Sequence, residues 1–180
     1  MTPQKAQEPQ GKLITVDGVE PAAVLTEARS ALRSGSRGGI STWDASGVFQ
    51  ELAVADEAAG TPSARTLLLL YAADLAFRLR WQIRPALAEG RIVVAAPYVD
   101  TALAFGRAAG LKPSWLMNLF RFAPRAQKRL FAHAAAGRAA AVRDGFVGFS
   151  AGRMAGDRAS RRRILAQTAA ELRGRFDRRH

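Results

Sequence analysis

Short apolar runs alternate with longer helical patterns along this chain, and this alternation restricts its fold more than any other feature. Residues 13–16 and 92–95 are apolar runs of the length and composition of buried strands. Residues 21–33 and 99–109, which follow them closely, space their apolar side chains as a helix does. Strands that alternate with helices predict a parallel sheet. We therefore expect an α/β fold of three layers, with about four parallel strands and helices on both faces.

The same patterns divide the rest of the chain. The polar, Pro- and Gln-rich residues 1–11 predict a disordered tail, and residues 12–180 a single domain. Strands are predicted near 12–17, 40–44, 92–95 and 128–134, and helices near 21–33, up to about 59, and near 64–82, 99–109, 114–122 and 158–176. Residues 137–157 are rich in small side chains and predict a loop.

Composition narrows the chemistry that is available. The chain has no cysteine and two histidines, which excludes disulfides and thiolate metal sites and leaves little for a histidine-based one. We expect no bound metal. No apolar run approaches the roughly 18 residues of a membrane span, and the N-terminus lacks the apolar segment of a signal peptide. These features predict a cytoplasmic protein without a membrane partner.

The formal net charge of +12 is concentrated near the C-terminus, where nine arginines and three acidic residues lie between residues 153 and 180. Such a stretch suits nucleic acid, anionic lipid or an acidic protein partner, and a solvated helix would have the same composition. No aromatic residues are interleaved with these arginines as a platform for bases. The candidate basic face comprises Arg158, Arg161, Arg162, Arg163, Arg173 and Arg175.

The strand-to-helix junction at residues 13–32 stands where nucleotide-binding proteins carry the phosphate-binding loop GxxxxGK[ST]. Its sequence is LITVDGVEPAAVLTEARSAL. Gly18 matches the first glycine, but Ala23, Val24 and Leu25 stand where the second glycine, the lysine and the hydroxyl belong. The junction is either a former phosphate site or a turn that never bound phosphate.

Four stretches of the chain repeat, in order, the motifs of a known enzyme family. LITVDGVE is similar to the strand that enters its phosphate-binding loop, E-G-x-D-G-x-G-K-S/T. LLLLYAADLAFRLRWQIRPALAEGRIVVAAPYVDTALA is similar to its block with L-L-F-A-A-D-R, I-x-P-A-L-x-x-G and D-R-Y. GLKPSWLMNLFRFAPRAQ and FSAG are similar to a later segment and to the Y-E-A-G of its lid. Over residues 12–155 the chain resembles the thymidylate kinase family, which implies a P-loop nucleoside monophosphate kinase fold.

The resemblance implies that the residues that bind phosphate are replaced. The lysine position is Val24, the position of the magnesium-binding hydroxyl is Leu25, and Pro21 has no backbone N–H to donate. The arginine of A-D-R is Leu75, and the first two residues of D-R-Y are Ala96 and Pro97. The degenerate loop comprises Asp17, Gly18, Glu20, Pro21, Val24 and Leu25.

Other parts of the resemblance concern the acceptor side and the end of the fold. Tyr71, Asp74 and Tyr98 are retained in its motifs and would form a residual nucleoside pocket, although the apolar helix face favours a core aromatic at Tyr71. Residues 145–157 correspond to the lid, without its acids. Family members continue with a fifth strand, and no apolar run follows Phe176. We therefore expect the last strand to be absent and strand 128–134 to lie at a sheet edge.

Three functions follow from these observations. The first is a thymidylate kinase-like pseudoenzyme without a cofactor, which acts as a binding or regulatory subunit and forms a homodimer or a heterodimer with an active nucleotide kinase. The second is an active thymidylate or other nucleoside monophosphate kinase with a divergent site, which would use ATP and Mg²⁺. The third is a nucleic-acid-binding protein that uses the arginine-rich C-terminal helix.

Overall fold

The computed structural model describes residues 11–33, 37–54, 60–133 and 145–177, so the predicted N-terminal tail lies outside it except for Gly11. The strands are β1 (Lys12–Asp17), β2 (Gly38–Thr42), β3 (Ile92–Ala96) and β4 (Lys128–Phe131). The helices are α1 (Pro21–Arg33), α2 (Val48–Ala53), α3 (Ala64–Arg78), α4 (Arg84–Ala88), α5 (Val99–Ala108), α6 (Pro113–Leu119), α7 (Phe146–Met154) and α8 (Arg158–Asp177). A π-helical turn, Leu79–Ile83, joins α3 to α4.

The described strands form one parallel sheet in the order β2-β3-β1-β4. β1 lies between β3 and β4, with Leu13 opposite Val93 and Thr15 opposite Arg129. The predicted α/β fold with four parallel strands is confirmed. Within the described residues β4 pairs with β1 alone, which places it at the predicted edge.

Alternate side chains of the central strands feed two separate apolar cores, because successive side chains of a strand point to opposite faces. On one face, Ile14 and Val94 pack with Val24 and Ala28 of α1. On the other face, a larger core contains Leu13, Val93 and Ala95 of the sheet together with side chains from α3, α5 and α7. Helices therefore cover both faces, as predicted. α8 packs along α5, where Arg107 and Glu171 form an ion pair of 3.2 Å.

The loop predicted over residues 137–157 is wrong for residues 146–154. Residues 146–154 form helix α7, although Gly148 and Gly152 lower its intrinsic helix propensity. Phe146, Val147 and Ala151 of this helix are buried in the larger core. The burial of these side chains outweighs the weak local propensity. Residues 137–144 lie outside the described part of the chain. So do residues 55–59 of the helix predicted after β2 and residue 134 of the strand predicted over 128–134.

The long helix predicted over residues 64–82 begins as expected and changes geometry near its end. The hydroxyl of Ser63 accepts a hydrogen bond from the backbone N–H of Thr66 at 3.1 Å and caps α3. Pro85 has no N–H to donate to the carbonyl of Trp81, and its ring would clash with that carbonyl in a regular helix. The wider π-helical turn at residues 79–83 immediately precedes this proline and accommodates it.

Candidate functional site: the β1–α1 junction

The β1–α1 connection is a short turn followed at once by regular helix. β1 ends at Asp17 and α1 begins at Pro21. The backbone N–H of Val24 donates to the carbonyl of Glu20 at 3.0 Å, so helical hydrogen bonding already spans residues 20–24. A phosphate-binding loop holds its anion with the N–H groups of an open glycine-rich segment of this length. Here that segment is the first turn of a helix, and it starts with a proline.

Val24 lies inside the protein. Its side chain is buried among the apolar residues of β1, β3 and α1. It packs so closely on the turn that a Cβ added at Gly18 would lie 2.7 Å from Val24 Cγ2. Leu25, the next residue, is half-buried and lines a neighbouring cavity. The two positions that the resemblance assigns to a lysine and a magnesium ligand therefore serve apolar packing.

The carboxyl group of Asp17, at the end of β1, is fully buried and bonded within the protein. Its Oδ1 accepts from the backbone N–H of Tyr98 at 2.9 Å, and from the N–H and hydroxyl of Thr101 at 2.9 and 2.8 Å. Burial, and then the negative charge of Asp100, raise the pKa of Asp17 to about 6, and these hydrogen bonds oppose the rise. The N–H of Gly18 donates to the Thr101 hydroxyl at 3.1 Å. Asp17 thus fixes the start of α5 to the β1–α1 turn.

A cavity of about 160 Å³ remains beside this junction. It lies between the β1–α1 turn, the ends of β2 and β3, and the start of α7, and six of its lining residues are Val19, Pro21, Val24, Leu25, Trp43 and Phe146. Among the described residues that line it, none has a charged side chain. A nucleoside triphosphate needs cationic groups or a metal ion to neutralise its charge. The described lining of this cavity supplies no cationic side chain for that purpose.

Aromatic rings from three distant segments fill the space next to the cavity. The ring of Trp43, after β2, lies 5.0 Å from that of Phe49 in α2. The Phe49 ring lies 5.6 Å from Phe149 of α7, and Phe146 of α7 lies 4.4 Å from Tyr71 of α3. Most of these pairs are tilted or edge-to-face, which is the favourable arrangement for aromatic rings. The segment with Trp43 and Phe49 and the segment that the resemblance assigns to the lid are joined here by apolar packing.

The three residues of the predicted nucleoside pocket are buried and bonded to protein groups. The Tyr71 hydroxyl donates to the carbonyl of Tyr98 at 2.8 Å, and the Tyr98 hydroxyl donates to the carbonyl of Pro124 at 2.9 Å. Burial raises the pKa of both tyrosines. Asp74 accepts from the backbone N–H and hydroxyl of Ser46 at 2.9 and 2.8 Å. The structure brings the two tyrosines together, whereas Asp74 binds the turn after β2. Nucleoside binding by these three residues stays a prediction.

Arg78 is a central residue of this region that the sequence analysis does not single out. It is fully buried, and its guanidinium donates to the Ser41 hydroxyl at 3.0 Å, to the Ser41 carbonyl at 2.7 Å and to the Pro97 carbonyl at 3.0 Å. These bonds tie α3 to the ends of β2 and β3. The sequence contains the signal, because Arg78 lies between Leu75 and Leu79 on the apolar face of the predicted helix.

The arginines of the predicted basic face differ in their surroundings. Arg158, Arg162, Arg163 and Arg173 are exposed, and Arg161 is half-buried beside Gly152. Arg175 is half-buried and forms an ion pair of 2.9 Å with Asp100. Contact with nucleic acid through this face stays a prediction. Among the described residues, no group of three or more His, Cys, Asp or Glu side chains could hold a metal ion, and no helix is long and apolar enough to cross a membrane.

Parts of the chain are similar to curated proteins named thymidylate kinase. A segment of 57 residues, 32% of this chain, is 44% identical to probable thymidylate kinases of Pyrococcus abyssi and Pyrococcus horikoshii and covers 28% of each. A segment of 115 residues, 59% of this chain, is 33% identical to a thymidylate kinase of Solidesulfovibrio magneticus and covers 54% of it. A segment of 121 residues, 65% of this chain, is 32% identical to a thymidylate kinase of Xanthomonas campestris and covers 53% of it. No protein-family model matches the sequence.

The chain has thymidylate kinase homologues. The matched segments cover between about a quarter and about half of the length of these relatives. The four-stranded parallel sheet with helices on both faces is consistent with the thymidylate kinase fold. Together the comparisons and the fold support a nucleotide kinase-like protein.

Proposed function

We propose that this chain is a thymidylate kinase-like pseudoenzyme, which does not transfer a phosphoryl group. The observation that carries the proposal is the packing of Val24, which occupies the lysine position of the resemblance and is buried against Gly18. Phosphoryl transfer depends on positioning and charge neutralisation, and little covalent chemistry is left to the protein. A buried valine can do neither.

The surroundings of Val24 support the same conclusion. Asp17 and Glu20 bring negative charge to the turn, and the described residues that line the adjacent cavity include no cationic side chain. Removal of one group that stabilises the transition state typically costs a factor of about 10²–10³ or more in rate. Here the lysine, the magnesium ligand and several arginines of the resemblance are replaced together. We therefore propose that the protein uses neither ATP nor Mg²⁺.

A transfer assay tests this proposal against the alternative of an active kinase with a divergent site. Radiolabelled ATP–Mg²⁺ and thymidine 5′-monophosphate are incubated with the purified protein, and an active thymidylate kinase serves as the positive control. We expect no labelled thymidine diphosphate above the level of the buffer. Product formation in proportion to the concentration of this protein would establish the active kinase instead.

We further propose that the protein acts as a binding or regulatory subunit, alone as a homodimer or preferably with an active nucleotide kinase. Support comes from an exposed apolar stripe on α3 and the π-helical turn, formed by Leu69, Phe77 and Trp81, which are 50%, 39% and 62% exposed. Large apolar side chains clustered in this way are typical of protein interfaces. The net charge of +12 favours an acidic partner and would accelerate association with it.

Light scattering on the protein alone, and mixed with an active thymidylate kinase, tests the subunit proposal. We expect a dimer in at least one of the two samples, and a monomer for Phe77→Glu/Trp81→Glu. Val54→Glu is a matched control, because Val54 is also exposed but lies outside the stripe on α3. A monomer in both samples would overturn the proposal. It would favour the nucleic-acid alternative, which predicts binding that weakens steeply as salt is raised.

A further inference from the structure

A second cavity, of about 570 Å³, lies away from the β1–α1 junction. It is enclosed by the start of α5, the connection from α6 to β4, the strand β4 and the end of α8. Small-molecule sites in proteins commonly have volumes of roughly 300–1,000 Å³. Tyr98 of the predicted nucleoside pocket and Arg175 of the predicted basic face also line this cavity, and the sequence motifs assign no role to its other lining residues.

Four arginines line this cavity: Arg121, Arg125, Arg129 and Arg175. Asp100 is the single acidic side chain among its lining residues in the described part of the chain. The cavity therefore has an excess of positive charge. Arg121 and Arg125 form no ion pair or side-chain hydrogen bond with the described residues, so their N–H groups are available to a ligand.

The other two arginines are held in place. Asp100 accepts from Arg175 Nε at 3.0 Å through one oxygen and from Arg129 Nε at 2.9 Å through the other. The Arg129 guanidinium also stacks over the ring of Phe176 at 4.9 Å. One carboxylate thus fixes two guanidinium groups and neutralises only one of their charges. Groups that are fixed before binding lose less conformational entropy when a ligand arrives.

Most of the remaining lining is apolar, and it includes a polar atom without a hydrogen-bond partner in the described part of the chain. Leu103, Met117, Phe120 and Ala126 form part of the apolar wall. Thr15 of β1 also lines the cavity, and its buried hydroxyl has no hydrogen-bond partner among the described residues. A buried polar atom of this kind is uncommon in a protein structure. The cavity thus combines an anion-binding cluster with an apolar surface.

We propose that this cavity is a binding site for an amphiphilic organic phosphate, that is, a phosphate monoester with an apolar body. The guanidinium groups bind the phosphate, because their planar N–H donors match its oxygens. The wall formed by α5, α6 and the α6–β4 connection binds the apolar body. The site does not depend on the loss of phosphoryl transfer at the β1–α1 junction.

Calorimetric titration with decyl phosphate, below its critical micelle concentration, tests the proposal. Hydrogen bonds to charged groups predict a loss of about tenfold in affinity for each arginine removed. We expect binding of decyl phosphate to the wild-type protein, and at least about tenfold weaker binding of inorganic phosphate, decanol and thymidine 5′-monophosphate. Arg121→Ala/Arg125→Ala should weaken binding of decyl phosphate at least about tenfold, and Ala126→Phe should weaken it by filling the apolar part.

Arg162→Ala/Arg163→Ala is the matched control, because it removes the same charge from exposed positions of α8 that do not line the cavity. This variant should retain the wild-type affinity. Equal weakening in both double variants would show general attraction to a basic protein and would overturn the proposal. The absence of binding at millimolar decyl phosphate would overturn it as well. Tighter binding of thymidine 5′-monophosphate than of decyl phosphate would overturn the assignment of an apolar body.

Discussion

Val24 packs directly on Gly18, so that a Cβ atom added at residue 18 would lie 2.7 Å from Val24 Cγ2. Because two carbon atoms cannot approach this closely without a shift of one of them, alanine at residue 18 would overpack the junction. We expect Gly18→Ala to lower the free energy of unfolding by about 1–3 kcal/mol. Urea denaturation measures this change.

Gly39→Ala on β2 is the control, because no atom lies within 4 Å of a Cβ added there. Its effect should stay within about 0.5 kcal/mol. The cost of Gly18→Ala should fall by at least about 0.5 kcal/mol in a Val24→Ala background, since the two residues are in contact. An equal cost in both backgrounds would mean that Val24 is not the neighbour that limits residue 18.

Arg78 should be essential for the stability of the fold around the junction. Arg78→Met keeps the length of the side chain but leaves the buried carbonyls of Ser41 and Pro97 without their donor. We expect the free energy of unfolding to fall by at least about 3 kcal/mol. Arg80→Ala should cost less than about 1 kcal/mol, because Arg80 is exposed and contacts the ring of Trp81. Similar costs for the two variants would contradict the role given to Arg78.

The raised pKa of Asp17 predicts a pH-dependent stability. Between about pH 4, near the pKa of an unfolded aspartate, and about pH 6, the native carboxyl keeps a proton that the unfolded chain has lost. The native state binds more protons there, so the free energy of unfolding falls as pH rises, on the order of 3 kcal/mol across the window. Asp17→Asn should lack this decrease.

Urea denaturation of Asp17→Asn and of the wild-type protein at several pH values between 4 and 7 measures this effect. All other titrating groups are shared, so the contributions of those that do not interact with Asp17 cancel when the two proteins are compared at each pH. The variant should gain stability relative to the wild-type protein as pH rises. A difference that does not change with pH would contradict the raised pKa.

Much of the fold follows from the sequence, because local signals and burial agree in its central elements. β1 and α1 have the predicted limits, since an apolar run, an Asp-Gly turn and a proline at the first helical position mark them. α7 is different, because its two glycines and small residues predict a loop. Its helical structure depends on tertiary contacts of Phe146, Val147 and Ala151, which local sequence does not reveal.

Less of the candidate site than of the fold could be predicted from the sequence. The substitutions at Val24 and Leu25 predict the loss of phosphate ligands, and both side chains indeed face apolar surroundings. Trp43 and Phe49 are close in the sequence, but Phe149 comes from a distant helix, so only the folded structure shows that the three rings pack together. The cluster of arginines around the second cavity likewise joins the α6–β4 connection and β4 to α8, which is distant from them in the sequence.

Restoring two residues of the loop should not restore activity. Val24→Lys/Leu25→Ser supplies the lysine and the hydroxyl, but the acceptor side keeps Leu75, Ala96 and Pro97. Catalytic groups that act together do not contribute independently to the rate. Restoring two of them is therefore not expected to restore a proportionate part of the activity. We also expect this variant to be less stable, because residue 24 is buried among apolar side chains. The transfer assay should therefore stay at the level of the buffer, and measurable turnover would show a functional acceptor side.

The central claim is that the β1–α1 junction does not bind the phosphates of a nucleotide. Its most direct test is the melting temperature of the wild-type protein in the presence of ATP–Mg²⁺. A ligand stabilises the native state according to its concentration relative to its dissociation constant, and even a millimolar site would add only about 0.4 kcal/mol at millimolar ligand. With Val24 buried and no cationic group among the described residues that line the adjacent cavity, we predict no shift at micromolar ATP–Mg²⁺. A clear rise in melting temperature at that concentration would contradict the central claim.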